Sequence, residues 1–478
     1  MESLNADVLL ALPEIFMLAA ASVVLLIGLY TGRASETLAY VLSLAALITT
    51  AVLVYSTPAS RESFAFGGMY LNDPLAQAIK LFACVTVAAV MMYARPYLRQ
   101  RANLSAEFYA LGLFATMGTL VMASAHNFVL IYLGLELLSL CLYALVAFVR
   151  DSRDASEAAI KYFVLGAIAS GMLLYGMSIM YGLTGSLDLA EINAYLAQAD
   201  ANRIALVFAL AFIVVGLAFK FGAVPFHMWV PDVYQGAPTA ITLFIATMPK
   251  LAAFVMAIRL LNYGLQELLA DWQQMLMVLT VLSVVFGNVI AIAQSNIKRM
   301  LAYSAISHIG FILLGILPGT DFGYAAALFY TVIYVLMAAG TFGVLILLGN
   351  REREMDQLVD LKGLGKISPW FALIMLVLMF SMAGVPLTVG FYAKLYVLQS
   401  LVYGGWLWVA VLAVVMSVVG AFYYLRVVKY MYFDEADEVF QVQPSGLAQA
   451  VLSVNGLLVV ALFVFPNALL NYCIQVLG

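Results

Sequence analysis

Charged residues are scarce in this sequence. Only 10% of its 478 residues are Asp, Glu, Lys or Arg, and 65% are hydrophobic. Soluble proteins average about 25% charged and about 45–50% apolar residues. A single soluble globule is excluded because its core could not bury this much apolar surface. A disordered chain and a nucleic-acid binder are excluded because both need charge that is missing here.

Cysteine is also scarce, and common cofactor motifs are missing. The three cysteines, Cys84, Cys141 and Cys473, are far apart, and none belongs to a Cys-x-x-Cys pair. This spacing excludes an iron–sulfur site, a zinc knuckle and a disulfide framework built by this chain alone. The chain also lacks a phosphate-binding loop, a dinucleotide-binding loop and a His-Glu-x-x-His metal motif. The sequence therefore predicts no cofactor and no metal bound to this chain.

Apolar stretches long enough to cross a membrane recur along the whole chain. A membrane-spanning helix needs about 20 mostly apolar residues. We therefore predict an all-α polytopic membrane protein, with short connections that make neighbouring helices antiparallel. The first stretch is interpreted as a retained span because Glu2 and Asp7, and no basic residue, precede it. The fourteen predicted spans are 9–30, 37–56, 74–94, 106–124, 127–149, 159–183, 203–223, 238–261, 272–293, 300–317, 323–348, 369–402, 405–431 and 447–473.

The basic residues between these spans indicate the orientation. If both termini lie outside, fifteen of the eighteen Lys and Arg residues between spans fall on the inner side. The outer side then holds only Arg61, Arg203 and Arg259. Such a bias is typical of membrane proteins, and a missed span would destroy it. We therefore predict fourteen spans with both termini outside.

Four lysines lie within the predicted spans and away from the loops, and Glu136 is the one carboxylate near the middle of a span. Each is unfavourable by about 2.5–3.5 kcal/mol at the centre of a helix, so such groups mark ion paths or pair with one another. Lys80 is only about six residues into its span, which favours a side chain that reaches the interface. For the other four we weigh a proton path against permanent structural pairing, and favour the proton path. These four are Glu136, Lys220, Lys250 and Lys394.

Two of these lysines accompany breaks in a helix. Lys220 precedes Pro225, and Lys394 follows Gly384 and Pro386 in the stretch 369–402, which is too long for one straight span. The breaks fall in spans seven and twelve, which are five spans apart. This order predicts two inverted five-helix repeats, spans four to eight and nine to thirteen. The predicted divisions are 1–105, 106–261, 272–431 and 447–478.

Two histidines are further candidates for proton relay. His227 lies at the first break, close in sequence to Lys220, and His308 is in the middle of a span with Ser304 one turn away. Imidazole titrates near neutral pH and can pass protons. A buried histidine with a purely structural role is an almost equally good interpretation of both.

Four segments resemble a known family. They are FKFGAVPFHMWVPDVYQGAP (219–238), NIKRMLAYSAISHIG (296–310), the stretch around Glu136, and GFYAK (390–394). All four are similar to the antiporter-like membrane subunits of respiratory complex I, and the resemblance covers the whole chain. One related subunit has a glutamate in place of Lys394, and another has a long C-terminal lateral helix. We therefore expect a member of the family distinct from both.

The resemblance implies a proton-translocating subunit of a bacterial NADH:quinone oxidoreductase, multi-pass in the inner membrane with periplasmic termini. It implies that Glu136 pairs with Lys220, that Lys250 is the central carrier and that Lys394 is the gate towards the outside. Quinone reduction elsewhere in the complex would supply the energy. NADH, FMN, iron–sulfur clusters and quinone would belong to partner subunits. The expected partners are other membrane subunits, including the antiporter-like subunit M and small subunits.

Three alternatives remain open from the sequence. One is a subunit of a multisubunit cation/proton antiporter, although a sodium site would need more oxygen ligands than one carboxylate in the middle of the membrane supplies. The second is a purely structural membrane subunit of a redox complex. The third is a related complex that receives electrons from ferredoxin, hydrogen or another donor, because the site of electron input would lie on other subunits.

Overall fold

A computed structural model describes residues 2–30, 35–101, 105–198, 202–349, 354–436 and 446–477. The structure is almost entirely helical, with one small hairpin of β1 (Phe64–Ala65) and β2 (Tyr70–Leu71), in which Phe64 pairs with Leu71. The helices are α1 (Glu2–Leu10), α2 (Leu12–Tyr30), α3 (Ser35–Ser56), α4 (Pro74–Gln100), α5 (Ala106–Ser124), α6 (Phe128–Val146), α7 (Arg153–Thr184), α8 (Leu189–Leu196), α9 (Arg203–Phe221), α10 (Trp229–Gly236), α11 (Thr239–Ala246), α12 (Met248–Ala257), α13 (Leu269–Ile292), α14 (Ile297–Ile316), α15 (Asp321–Leu348), α16 (Leu364–Ile367), α17 (Pro369–Ala383), α18 (Val389–Tyr403), α19 (Leu407–Tyr432), α20 (Gly446–Val464) and α21 (Pro466–Leu477).

The predicted polytopic all-α fold is confirmed. Within the described ranges, thirteen helical segments are long and apolar enough to cross a membrane. The remaining predicted span, 369–402, is divided into α17 and α18, as its length and its glycines and proline indicate. Arg33, Arg351 and Arg353, which contribute to the charge bias, lie outside the described residues. The orientation and the inverted repeat stay predictions.

One further break was not predicted. The span expected at 238–261 consists of α11, then Thr247 with non-helical backbone angles, then α12, and it ends in a π-helical segment, Ile258–Gly264. Pro249 lies in the first turn of α12, where proline is tolerated, and it disfavours a continuous α-helix through the residues before it. The proline was the available signal for this break.

The chain divides into two compact units. The first comprises Met1–Met91, Leu104–Phe221 and Met248–Leu276, and the second comprises Met92–Asn103, Gly222–Thr247 and Met277–Gly478. In the first unit α5 packs on α2, α6 and α12, and α7 packs on α9. In the second unit α15 is central and contacts α11, α14, α17, α18, α20 and α21.

The sequence analysis placed Arg259 in an outer loop, and this is wrong. Arg259 lies in the π-helical segment of the first unit and its side chain is fully buried. It donates to both carboxylate oxygens of Asp73 at 2.6 and 2.7 Å, and to the carbonyl oxygen of Ala123. Assigning Arg259 to a loop because it is charged fails, because a buried carboxylate that is distant in sequence stabilises the guanidinium inside the protein.

Two glycines set the close approach of α5 and α6 in the first unit. A methyl group at Gly134 would lie 2.8 Å from the carbonyl oxygen of Gly118, and one at Gly118 would lie 2.6 Å from the backbone nitrogen of Leu138. Small residues at helix crossings of this kind let backbones approach within membranes. This contact fixes α6, the helix that carries Glu136.

We expect Gly134→Ala to destabilise the protein by about 1–3 kcal/mol, because the new methyl group meets backbone that cannot move aside. The thermal midpoint of the detergent-solubilised protein would measure the loss. Gly171→Ala in α7 is the matched control, since no neighbouring atom lies within 4 Å of the added methyl group. Equal midpoints for the two variants would contradict the close-packing interpretation.

Candidate functional site

In the first unit, α6 and α9 bring Glu136, Ser139 and Lys220 together. Asn127 caps α6 by accepting from the backbone nitrogen of Val129, and Glu136 and Ser139 follow one turn apart on this helix. Lys220 Nζ donates to Ser139 Oγ at 3.0 Å, and Ser139 Oγ donates to the carbonyl oxygen of Leu135. Ser139 is thus a site residue that sequence reasoning missed, because only its contact with Lys220, a residue distant in sequence, reveals it.

Glu136 and Lys220 interact electrostatically without a direct ion pair in the described structure. Glu136 Oε1 is buried and has no hydrogen-bond partner among the described residues. A buried oxygen without a hydrogen-bond donor is unfavourable, so Glu136 and Lys220 do not form a saturated structural ion pair among the described residues.

Lys250 caps the end of a broken helix. It lies in the first turn of α12, is 1% exposed, and its Nζ donates to the carbonyl oxygen of Phe221 at 3.1 Å. Phe221 is the last residue of α9, so its carbonyl has no partner within its own helix. Lys250 also interacts electrostatically with Lys220. The structure therefore groups Glu136, Lys220 and Lys250 within the first unit.

Lys394 has the same relation to a broken helix in the second unit. Its Nζ donates to the carbonyl oxygen of Ala383, the last residue of α17, at 2.8 Å. Gly384 follows with a left-handed φ of 83°, and a methyl group there would lie 2.7 Å from Lys394 Cδ. The ammonium also lies 5.1 Å from the centre of the Phe311 ring. Glycine at this turn thus makes room for the lysine side chain.

His308 lies in a buried row of hydroxyl groups in the second unit. Its Nδ1 is 2.7 Å from the Tyr330 hydroxyl and its Nε2 is 3.0 Å from the Tyr424 hydroxyl. The Tyr424 hydroxyl is in turn 2.5 Å from Ser304 Oγ. His308 also interacts electrostatically with Lys394. Ser304 is thus a neighbour of His308 through Tyr424, and the two tyrosines are relay candidates that the sequence analysis did not include.

The other candidate histidine, His227, also belongs to the second unit. It is 9% exposed, and its Nδ1 has no hydrogen-bond partner among the described residues. Burial lowers the pKa of this imidazole. A relay role for His227 stays a prediction.

Glu354 is a charged residue with several hydrogen-bond donors around its carboxylate. It accepts from Lys298 Nζ at 3.2 Å, from Thr239 Oγ1 at 2.6 Å and from the Tyr97 hydroxyl. Burial alone would raise the pKa of Glu354, but Lys298 and these hydrogen bonds hold that pKa at about 2. The favourable contribution of this carboxylate is therefore lost only as the pH falls from about 4.5 towards 2. Glu354 stays ionised at neutral pH, which suits an anchor at the start of α11.

The structure contradicts the expectation that Lys80 reaches the membrane interface. Lys80 is 1% exposed, and its Nζ forms an ion pair with Glu14 Oε1 at 2.6 Å. Glu14 in α2 was not singled out in the sequence, because it stands near the start of the first span and its partner is distant in sequence. Among the described residues, no group of three or more His, Cys, Asp or Glu side chains is placed to hold a metal ion.

A polytopic helical fold with discontinuous helices and buried lysines at their ends defines the class of antiporter-like membrane subunits. Comparison with known proteins supports this class. The family model described as "NADH:quinone oxidoreductase/Mrp antiporter, TM" matches residues 125–420. The chain belongs to this family.

The similar proteins narrow the family further. NADH-quinone oxidoreductase subunit N of Thiobacillus denitrificans is 54% identical over 468 residues, covering 98% of this chain and 97% of that protein. Subunit N of Thioalkalivibrio sulfidiphilus is 55% identical over 466 residues, covering 97% of both chains. A chain of respiratory complex I from Thermus thermophilus, solved with bound aureothin, has a TM-score of 0.83 and 33% identity, covering 96% of this chain and 98% of that one. The expected likeness to antiporter-like subunits of complex I is confirmed, and within them the similarity is to subunit N.

Proposed function

We propose that this chain carries protons across the membrane as the subunit N of an NADH-quinone oxidoreductase, through Glu136, Lys220, Lys250 and Lys394. The observation that carries the proposal is that Lys220 and Lys250 are buried, and Lys394 partly buried, at the ends of broken helices, with the partly buried Glu136 beside Lys220. Lys220 donates to a hydroxyl oxygen and Lys394 to a carbonyl oxygen. A lysine held by a neutral oxygen can release its proton without leaving a buried carboxylate unpaired.

Each unit contributes its own group of residues to this function. In the first, Glu136 modulates the charge on Lys220, and Lys220 and Lys250 repel each other when both are protonated. Repulsion between like charges makes a proton on one lysine easier to release when the other becomes protonated. In the second, Lys394 and His308 stand in the same electrostatic relation, and Tyr330 and Tyr424 extend the relay. His227 is included as a possible relay.

The place of the chain in the cell follows from the same proposal. Quinone reduction in other subunits supplies the energy, and NADH, FMN, iron–sulfur clusters and quinone bind to those subunits. The partners are other membrane subunits of the complex, including subunit M and small subunits. The protein lies in a bacterial inner membrane, and the basic residues between spans favour periplasmic termini.

Glu136→Gln tests the proposal. We expect proton pumping and coupled quinone reduction to fall by on the order of tenfold, because Lys220 loses its electrostatic interaction with the Glu136 carboxylate. The measurement is made on the intact complex, with the amount of assembled complex determined in parallel. Glu157→Gln is the control, since that carboxylate is 58% exposed in its pair with Lys161. An assembled Glu136→Gln complex with wild-type pumping would remove Glu136 from the proton path.

A further inference from the structure

A second carboxylate–lysine pair is buried in the first unit, and it has no part in the function described so far. Glu14 of α2, Tyr70 of β2 and Lys80 of α4 are 5%, 4% and 1% exposed. Lys80 Nζ lies 2.6 Å from Glu14 Oε1 and donates to the Tyr70 hydroxyl at 2.9 Å. The Tyr70 hydroxyl is 3.0 Å from Glu14 Oε2. We call these three residues the hairpin cluster.

The hairpin cluster is closed by hydrogen bonds but is not saturated. The Tyr70 hydroxyl has one proton and two acceptors, Glu14 Oε2 at 3.0 Å and the carbonyl oxygen of Leu10 at 3.1 Å. The hydroxyl can therefore switch between these two acceptors, while the Lys80 ammonium donates and the Glu14 carboxylate accepts. Burial raises the pKa of Tyr70, so its hydroxyl stays protonated and can relay a proton between its neighbours.

The polar groups around the cluster come from every packed element. Cys84 lies one turn after Lys80 on α4 and interacts electrostatically with Glu14 and Lys80. Ser124 of α5 lies close to the Tyr70 hydroxyl. Asp7 of α1 accepts from the backbone nitrogen of Phe66 in the hairpin. None of these groups is a second full positive charge beside Glu14.

The Arg259–Asp73 pair in the same unit is a permanent ion pair and serves as a comparison for the hairpin cluster. Arg259 donates to both oxygens of Asp73, which also accepts from Tyr263 and from the backbone nitrogen of Ala76. Arginine cannot release its proton in proteins. The hairpin cluster instead combines a lysine, a tyrosine and a carboxylate joined by single contacts, and an ammonium, unlike a guanidinium, has a proton that it is able to give up.

We infer that the hairpin cluster is a further proton-exchanging site of this chain, with Lys80 as donor and Glu14 as acceptor. The Lys80 ammonium gives one proton to the Glu14 carboxylate, directly or through the Tyr70 hydroxyl. The products are an amine and a carboxylic acid, so the net charge of the cluster does not change. Ionisable groups buried within spans are functional candidates, and this pair has the chemistry for it. The inference rests on the proposed function, because the protons would belong to the same translocation.

Lys80→Arg is the first test. Arginine keeps the positive charge beside Glu14 but does not release its proton. We expect the complex to assemble, with proton pumping and coupled quinone reduction reduced at least about threefold. Lys366→Arg is the matched control, because Lys366 is 79% exposed in its pair with Glu435. An assembled Lys80→Arg complex with wild-type rates would overturn the inference.

A second variant keeps the test decisive if arginine does not fit. The double substitution Glu14→Gln with Lys80→Met removes both charges at similar volume, a change that folded proteins often tolerate. We expect the same loss of pumping in assembled complex, whereas a structural pair would leave the rates unchanged. Failure of both variants to assemble would also overturn the inference, because the cluster would then have a folding role. If Lys250→Ala abolishes pumping while these variants keep it, the proposed function stands and only this inference fails.

Discussion

Replacing Lys250 by alanine is expected to lower proton pumping and coupled quinone reduction at least about tenfold in assembled complex, because a proton carrier typically contributes more than this. Lys250 is buried and interacts electrostatically with Lys220, and alanine leaves no titratable group at its position. Both rates fall together if quinone reduction cannot proceed without proton transfer. Electron transfer to an artificial acceptor, which bypasses the membrane subunits, measures the amount of assembled and active complex.

Two further variants separate the explanations for Lys250. Lys250→Arg keeps the charge and withholds the proton, so we expect a loss as large as that with alanine. Lys366→Ala replaces an exposed lysine and is expected to behave like the wild type. If Lys250→Arg pumps normally, the site needs only a positive charge and Lys250 is not a carrier. If the Lys250→Ala complex also pumps normally, this chain shares the fold of the family but does not use Lys250 for proton transfer.

Replacing Arg259 by methionine is expected to destabilise the first unit by about 3–5 kcal/mol, because the Asp73 carboxylate would stay buried without its partner. We expect a lower thermal midpoint in detergent and less subunit in assembled complex. The double variant Arg259→Met with Asp73→Asn is expected to recover part of the loss. Asparagine carries no charge and its side-chain oxygen still accepts from the backbone nitrogen of Ala76.

The control for Arg259 is an exposed pair in the same unit. Arg203 is 74% exposed and bonds to Asp271 at 3.2 Å, and such surface pairs contribute about 0–1 kcal/mol. Arg203→Met is therefore expected to leave the midpoint almost unchanged. A midpoint for Arg259→Met as high as that of Arg203→Met would show that Asp73 finds another partner or takes up a proton.

The spans and the break at 383–389 are predictable from the sequence. Hydropathy, segment length and the positions of glycine and proline determine them, and all three are properties of neighbouring residues. The buried ion pairs do not follow, because each joins residues distant in the chain. From the sequence, Lys80 is interpreted as a lysine at the membrane interface, but in the structure it pairs with Glu14 of α2. From the sequence, Arg259 is interpreted as a loop residue, but in the structure it pairs with Asp73. The break at Thr247 had only Pro249 as a signal, and a proline in the first turn of a helix does not by itself require one.

The candidate site was predictable in its ionisable residues but not in their contacts. Glu136, Lys220, Lys250 and Lys394 stand out because charge is costly within a span. The hydrogen-bond acceptors of the three lysines are a serine and two backbone carbonyls, which are common everywhere in the sequence and carry no distinguishing pattern.

Lys250 and Lys394 each bind the last carbonyl of a broken helix, at Phe221 and Ala383. The charge state of each lysine and the position of that helix end are therefore thermodynamically linked. By reciprocity, a helix end that moves away from its lysine changes the proton occupancy of that lysine, and a change in occupancy exerts an equal bias on the helix end. Under the proposed function, displacement of the helix end and protonation of the lysine are coupled equilibria, and this coupling gives a redox reaction in other subunits a route to these protons.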